Sequence, residues 1–339
     1  MITTAAVQAV GLSVRRGGGL GLPGRRDRLD VLRDCGFRIP RGAVCGLVGP
    51  NGAGKSALLA TVAGLIAPSS GTLELWGRPV GDEAHRARLA YVAQNRSLYP
   101  QFSVRRLLRL GRDLNPCWQS EAAEEVLEAA RIPLRARVGS LSGGHRTLLS
   151  LALARGKAAD LLLLDEPLAD LDPLARRRTM GLLLADVADR GATLVLSSHV
   201  LADLEESIDH LLLLDQGRVR LAGALPELLA AHRLLDAIEL PARRAAAAHP
   251  VDAAQSAGAP FSGASDTPAV VESRGSGPAR SVLVRLHHSA EASGAGTAAG
   301  EPPTLEELVL AYLRRPDAPG WISPGMRPLT ADAPEGIGA

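Results

Sequence analysis

Residues Gly49-Pro50-Asn51-Gly52-Ala53-Gly54-Lys55-Ser56 fit the pattern G-x-x-x-x-G-K-[ST]. Such a loop wraps a phosphate chain in backbone N–H groups, and its glycines keep side chains from clashing with the phosphate oxygens. The helix expected next, with Ser56 and Ala57 in its first turn, adds the positive end of its dipole. Lys55 is then placed to bridge the β- and γ-phosphates, and Ser56 to set its hydroxyl on Mg2+. Triphosphate hydrolysis is mostly positioning and charge neutralisation, so acids and polar groups near this loop matter next. Asp165 and Glu166 close the run of four leucines at 161–164. Neighbouring strand residues point to opposite faces, so one carboxylate can serve the metal shell while the other faces elsewhere. Gln94 follows the strand-like run 89–93, and Ser197-Ser198-His199 ends another. Taken singly, such a Gln reads as a surface residue and such a His as a packed or capping one. Leu141-Ser142-Gly143-Gly144-His145 opens a helix, so the Ser142 hydroxyl, the glycine amides and the helix dipole form a second anion site. Two anion sites for one triphosphate make sense if the second serves the nucleotide of a partner subunit.

The elements that must hold these groups show in the apolar runs. Residues 43–48, 161–164, 193–196 and 211–214 are short and nearly continuous in Val, Leu and Ala, the pattern of strands covered on both faces. Helical patterns lie between them, for example over 174–190. Strand alternating with helix predicts an α/β sheet with ligands at the carboxyl ends of its strands. Every motif above falls at such an end. Residues 103–137 instead carry amphipathic helical patterns with no strand between them, a helical insert. The Gly- and Arg-rich stretch 17–28 reads as a mobile loop.

After about residue 238 the composition turns to Ala, Gly, Pro and Ser, which predicts a flexible linker. Two islands break it. Residues 270–272 and 281–286 can pair as a hairpin, and 304–314 reads as a short amphipathic helix with Thr304 and Glu307 at capping-box spacing. From Pro316 onward Pro and Gly predict a disordered tail.

At 339 residues the chain has room for about two domains. A net charge of +2 offers none of the basic excess that a nucleic-acid partner demands. With 46% hydrophobic but only 3% aromatic residues, the core must be mostly Leu, Val and Ala. Cys35, Cys45 and Cys117 are odd in number and lack metal-ligand spacing, the pattern of reduced thiols in a cytoplasmic protein. The first residues lack the apolar core of a signal peptide, and no stretch approaches the ~18 apolar residues of a membrane span. A transport role would need its pathway from another chain.

With this order and spacing of motifs, residues 5–235 or so resemble the ATPase subunit of the ATP-binding cassette (ABC) transporter family, whose signature is Leu-Ser-Gly-Gly-Gln. The resemblance implies an α/β P-loop NTPase cassette: a RecA-like core with a mixed or parallel sheet, an antiparallel subdomain and a helical subdomain over about 100–155. The cassette would span 1–237, the linker and its appendage 238–315, and the tail 316–339. ATP and Mg2+ are implied as cofactors. Gly49, Pro50, Asn51, Gly52, Ala53, Gly54, Lys55, Ser56 and Ala57 would hold one nucleotide, and Ser142, Gly143, Gly144, His145 and Asp172 would contact the partner's. Ser56, Gln94 and Asp165 would face the metal. Glu166 would polarise the attacking water, His199 would bond the γ-phosphate and orient Glu166, and Gln94 would touch metal and water.

The family also implies two subunits, identical or homologous, sandwiching two ATPs head to tail, with residues 169–172 crossing the interface. Through the Gln94 loop and the helical insert the pair would drive a separately encoded polytopic permease. The motif set is similar to type 2 exporter ATPases for drugs, antibiotics or lipids, which act in the cytoplasm on the inner face of the membrane. High Ala, Gly and Arg content suggests a GC-rich bacterial genome.

The chain departs from the family pattern at His145, where Gln is usual, and at Arg16, where an aromatic would stack on adenine; a guanidinium plane can stack there too. A second reading, a soluble ABC ATPase acting on the ribosome or nucleic acid, is opposed by the single Gly-Lys-Ser loop, the short insert and the lack of basic excess. A third, nucleotide binding without turnover, is opposed by Glu166 and His199.

Overall fold

The computed structural model describes residues 5–16, 29–95, 97–201, 204–236, 269–274, 281–286 and 301–329. The expected mobile loop at 17–28, most of the linker and the last ten residues lie outside the described residues. The chain divides into two units, residues 1–224 with 321–339 and residues 225–320.

In the first unit, β1 (Val7–Arg16) pairs antiparallel with β2 (Leu29–Ile39) on one side and β4 (Ser70–Leu75) on the other, and β5 (Arg78–Pro79) extends the edge. A second, seven-stranded sheet carries the chemistry. At its centre β3 (Val44–Val48) lies between β8 (Thr193–Ser198) and β9 (His210–Asp215), parallel to both. Beyond β8 follow β7 (Leu161–Leu164) and β6 (Leu89–Val92), again parallel. Beyond β9 lies antiparallel β10 (Arg218–Ala224). All four leucines of β7 are buried, which explains why this strand reads as a continuous run rather than an alternating one. Phe37, Leu47, Leu59, Leu75 and Leu163 join one core cluster fed by both sheets.

Helix α1 (Lys55–Val62) follows β3, short α2 (Ala84–Arg88) precedes β6, and α6 (Pro173–Arg190) joins β7 to β8. The helical insert is α3 (Val104–Leu114) and α4 (Ser120–Ala129), both packed on α5 (Gly143–Gly156). Ser103 caps α3 through the Arg106 N–H. The Trp118 ring packs against Gly111 of α3 and Gly156 of α5: a Cβ on these glycines would come within 2.7 and 2.5 Å of it, respectively. Arg155 of α5 ties the insert to the sheet's flanking helix. Its guanidinium takes both oxygens of buried Asp186 on α6 at 2.9 Å, and Glu125 of α4 at 2.9 Å.

The expected disordered tail is corrected over its first part. Trp321–Ile322 forms β14, which adds parallel to β10 as an edge strand, and Met326 just beyond is fully buried in the core cluster. A two-residue strand and one methionine set among Pro and Gly are too short to show as a periodic pattern.

The second unit begins at Leu225, earlier than the boundary expected at 237. It holds α7 (Leu225–Ala230), β11 (His232–Asp236), β12 (Ala269–Arg274), β13 (Ser281–Arg285) and α8 (Leu305–Arg314). The strands form an antiparallel sheet in the order β11-β13-β12, so the expected hairpin gains a third strand. On α8 the Thr304–Glu307 capping box is present in both directions. Inside this unit, buried His232 sits between the Leu228 carbonyl at 2.7 Å and the Tyr312 hydroxyl at 2.9 Å. Nδ1–H donates to the carbonyl, and Nε2 accepts from the phenol. Burial and the nearby arginines 285 and 233 hold the imidazole down at about 4.

Candidate active site

The phosphate-type loop leaves β3 at Val48 and enters α1 at Lys55. Its shape demands glycine at Gly49, where φ is +152° and a Cβ would stand 2.0 Å from the Leu214 carbonyl oxygen. Gly54 is likewise left-handed and pressed against the Val31 carbonyl. Lys55 folds back over the loop and donates to the carbonyls of Gly49 at 2.7 Å and Pro50 at 3.3 Å. Burial lowers its pKa, and the charges of Glu166 and Asp165 counter part of that shift. Ser56 and Asn51 are exposed, while Ala53 is buried and bonded to Gly217.

The parallel register of β7 on β8 sets Leu164 beside Leu196, which brings the next residues of each strand together. Asp165 and Glu166 are both buried, as is Ser197. The Ser197 hydroxyl accepts from the Glu166 N–H and donates to Oδ1 of Asp165, each at 2.8 Å. Glu166 takes a left-handed backbone with φ +48°, which costs a non-glycine residue about 1 kcal/mol. Its Oε2 lies 2.9 Å from His199 Nδ1, and its Oε1 lies 3.9 Å from Lys55 Nζ. A cleft of about 60 Å³ opens here, lined by Glu166, Arg176 and Ser197 to Val200 among others.

Lys55, Asp165, Glu166 and His199 thus come together at the carboxyl ends of β3, β7 and β8. Gln94 stands exposed two residues past β6, the strand beside β7. The other expected contacts lie at helix starts. Ser142 is the N-cap of α5, its hydroxyl accepting from the His145 N–H at 3.2 Å, with Gly143 and Gly144 in the first turn and His145 exposed. Gly144 lies close under the Asp170 carbonyl, where a Cβ would meet it at 3.0 Å. Asp172 is the N-cap of α6, accepting from the Ala175 N–H at 2.9 Å. Arg16 is the exposed last residue of β1.

Residues 32–169 match the family model described as ABC transporter. Nod factor export ATP-binding protein I of Burkholderia lata is 37% identical over 217 residues, covering 62% of this chain and 71% of that protein. Its counterpart in Cupriavidus metallidurans is equally similar over the same shares. The chain belongs to the ABC transporter ATP-binding family. Among solved structures, the ATP-binding subunit of an ABC transporter superposes with a TM-score of 0.58 at 27% identity, covering 66% of this chain and 92% of that one. A dimeric ABC cassette bound to ADP and Pi shares the fold, with a TM-score of 0.57 at 21% identity.

The chain is therefore an ATP-binding subunit of an ABC transporter, with the cassette fold that its motifs implied. Among the described residues no helix is long and apolar enough to cross a membrane. Two site residues were not singled out from the ABC motifs. Ser197 read only as the end of a strand, and nothing local distinguishes it from Ser198. Arg176 donates to the Leu171 carbonyl at 3.0 Å and lines the cleft beside Glu166; ten residues further along the chain than Glu166, on another element, it carried no motif signal.

Proposed function

We propose that this ABC subunit works as one half of a head-to-tail pair, with itself or a homologous ATPase, and that the pair drives export through a separate polytopic permease at the inner face of the cell membrane. The observation that carries this reading is the placement of Glu166 at the strand ends between Lys55 at 3.9 Å and His199 at 2.9 Å, since a carboxylate held between a lysine and a histidine beside a phosphate loop serves turnover. Export is supported by the names of the Burkholderia and Cupriavidus relatives. Association in pairs is supported by the dimeric cassettes that share the fold, and by the placement of Ser142–His145 and Asp172 at helix N-termini, where amides and dipoles favour a partner's phosphates.

The donors at the loop fit a magnesium nucleotide. The Ser56 hydroxyl, the Asp165 carboxylate and the Gln94 amide oxygen are all hard oxygen donors of the kind Mg2+ takes. When bound, the metal would neutralise charge on the phosphates. Gly49 to Ala57 bind the phosphate chain, Lys55 places its ammonium against it, and Asp165 holds the metal side. Glu166 would accept a hydrogen bond from the attacking water and so polarise it, and His199 would fix the carboxylate's orientation. The second unit, residues 225–320, would be an appendage to the cassette.

The test is a pull-down with tagged Glu166→Gln protein and ATP from detergent-solubilised host membranes. One polytopic membrane protein should be recovered, and lost without ATP or with Lys55→Ala. Recovery of ribosomal or nucleoid components and no membrane protein would contradict the transporter reading.

A further inference from the structure

We infer that Ser197 is a positioning residue for this ATPase, clamping the metal-side acid and the water-polarising acid into one unit. Three observations carry the inference. Ser197 is fully buried, so its hydroxyl must find partners inside the protein. Both partners belong to the acidic pair: the hydroxyl accepts from the Glu166 N–H at 2.8 Å and donates to Oδ1 of Asp165 at 2.8 Å. The third is the strain at Glu166, whose left-handed φ of +48° persists only if its surroundings hold it.

The geometry makes β8 a two-point clamp. Ser197 fixes the backbone of Glu166 and His199, two residues later, takes its carboxylate. Glu166 is thereby held at its N–H and at Oε2 by one strand end. The same hydroxyl occupies one oxygen of Asp165, so it fixes the rotation of that carboxylate and leaves the other oxygen to face a cation. Neither Asp165 nor Glu166 moves without disturbing the other. A serine suits this post because one hydroxyl can accept and donate at once; alanine would strand a buried N–H and loosen the carboxylate together.

This inference rests on the ATPase reading above, and the test separates the two. Ser197→Ala, Ser197→Thr and the wild-type full chain would be compared by calorimetric ATP binding with and without Mg2+, by thermal melting and by steady-state hydrolysis. Losing a hydrogen bond to a charged group corresponds to about tenfold or more, so Ser197→Ala should weaken the Mg2+-dependent gain in ATP affinity by about that factor and lower kcat similarly. Metal-free ATP binding, which depends on Lys55 and the loop, should stay within about twofold, and Ser197→Thr, which keeps the hydroxyl, should recover most of the loss. Unchanged Mg2+ dependence in Ser197→Ala would overturn the inference, as would a loss of metal-free binding in step with the melting point, the mark of a merely structural role. Absence of hydrolysis in the wild type would instead strike the ATPase reading, while the Mg2+-binding comparison would still decide the place of Ser197.

Discussion

His199 Nδ1 lies 2.9 Å from one oxygen of Glu166 while Lys55 Nζ lies 3.9 Å from the other. One buried carboxylate is thus shared between the lysine of the glycine-rich loop and the histidine just past β8. Replacing His199 by Ala should lower kcat by about a hundredfold, the scale of a general acid–base positioning effect, with ATP affinity nearly unchanged. Lys55→Ala should do the reverse and remove ATP binding itself. Steady-state hydrolysis and equilibrium binding, measured on both variants, check the division of labour.

Gly49→Ala should abolish nucleotide binding with a folded sheet, since its Cβ would meet the Leu214 carbonyl at 2.0 Å and push the loop away from β9. Circular dichroism should remain that of the wild type while ATP titration gives no signal. Binding at wild-type affinity would show that the loop tolerates the shift.

Arg155 joins the insert to α6 through the buried Asp186. Arg155→Met should cost about 3 kcal/mol, because buried Asp186 loses its two-point partner and keeps only Arg190 at 3.6 Å. The double variant Arg155→Met, Asp186→Leu should recover much of that loss, since replacing the whole pair with apolar groups is often neutral. Urea unfolding of both proteins measures the difference.

In the second unit, His232 is held at about 4 against an ordinary 6.5 because its buried site admits only the neutral ring. A lowered histidine pKa means the unfolded chain binds the proton more readily. The contribution of His232 is therefore complete above pH 6.5 and is lost as pH falls from 6.5 toward about 4, by about 3 kcal/mol in all. Stability measured from pH 7.5 to 4.5 should fall more steeply in the wild type than in His232→Gln. Equal slopes would show that the His232–Tyr312 pair is not what titrates.

The local parts of this protein were legible because their signals are local. The loop before Lys55, the leucine run ending at Asp165-Glu166, and the Thr304–Glu307 cap each fit within a dozen residues, and each folds as its pattern implies. What escaped depends on partners far away in sequence. Ser197 acquires its role only through the register of β8 on β7, which no run of residues announces. β14 pairs with β10 about a hundred residues earlier, and a strand of two residues has no period to detect. Asp172 and Ser142 read as interface groups, and the fold shows that they also cap the helices they begin.

Two copies should close on ATP, and turnover at Glu166 should reopen them. Sedimentation of purified Glu166→Gln protein with Mg2+ and ATP tests it directly. A stable dimer is expected, dissolving when ATP is withdrawn and absent in Ser142→Arg, with hydrolysis down about a hundredfold or more. A Glu166→Gln protein that stays monomeric with ATP fully bound, or one that hydrolyses ATP at the wild-type rate, would rule out an ATP-closed pair reopened by Glu166.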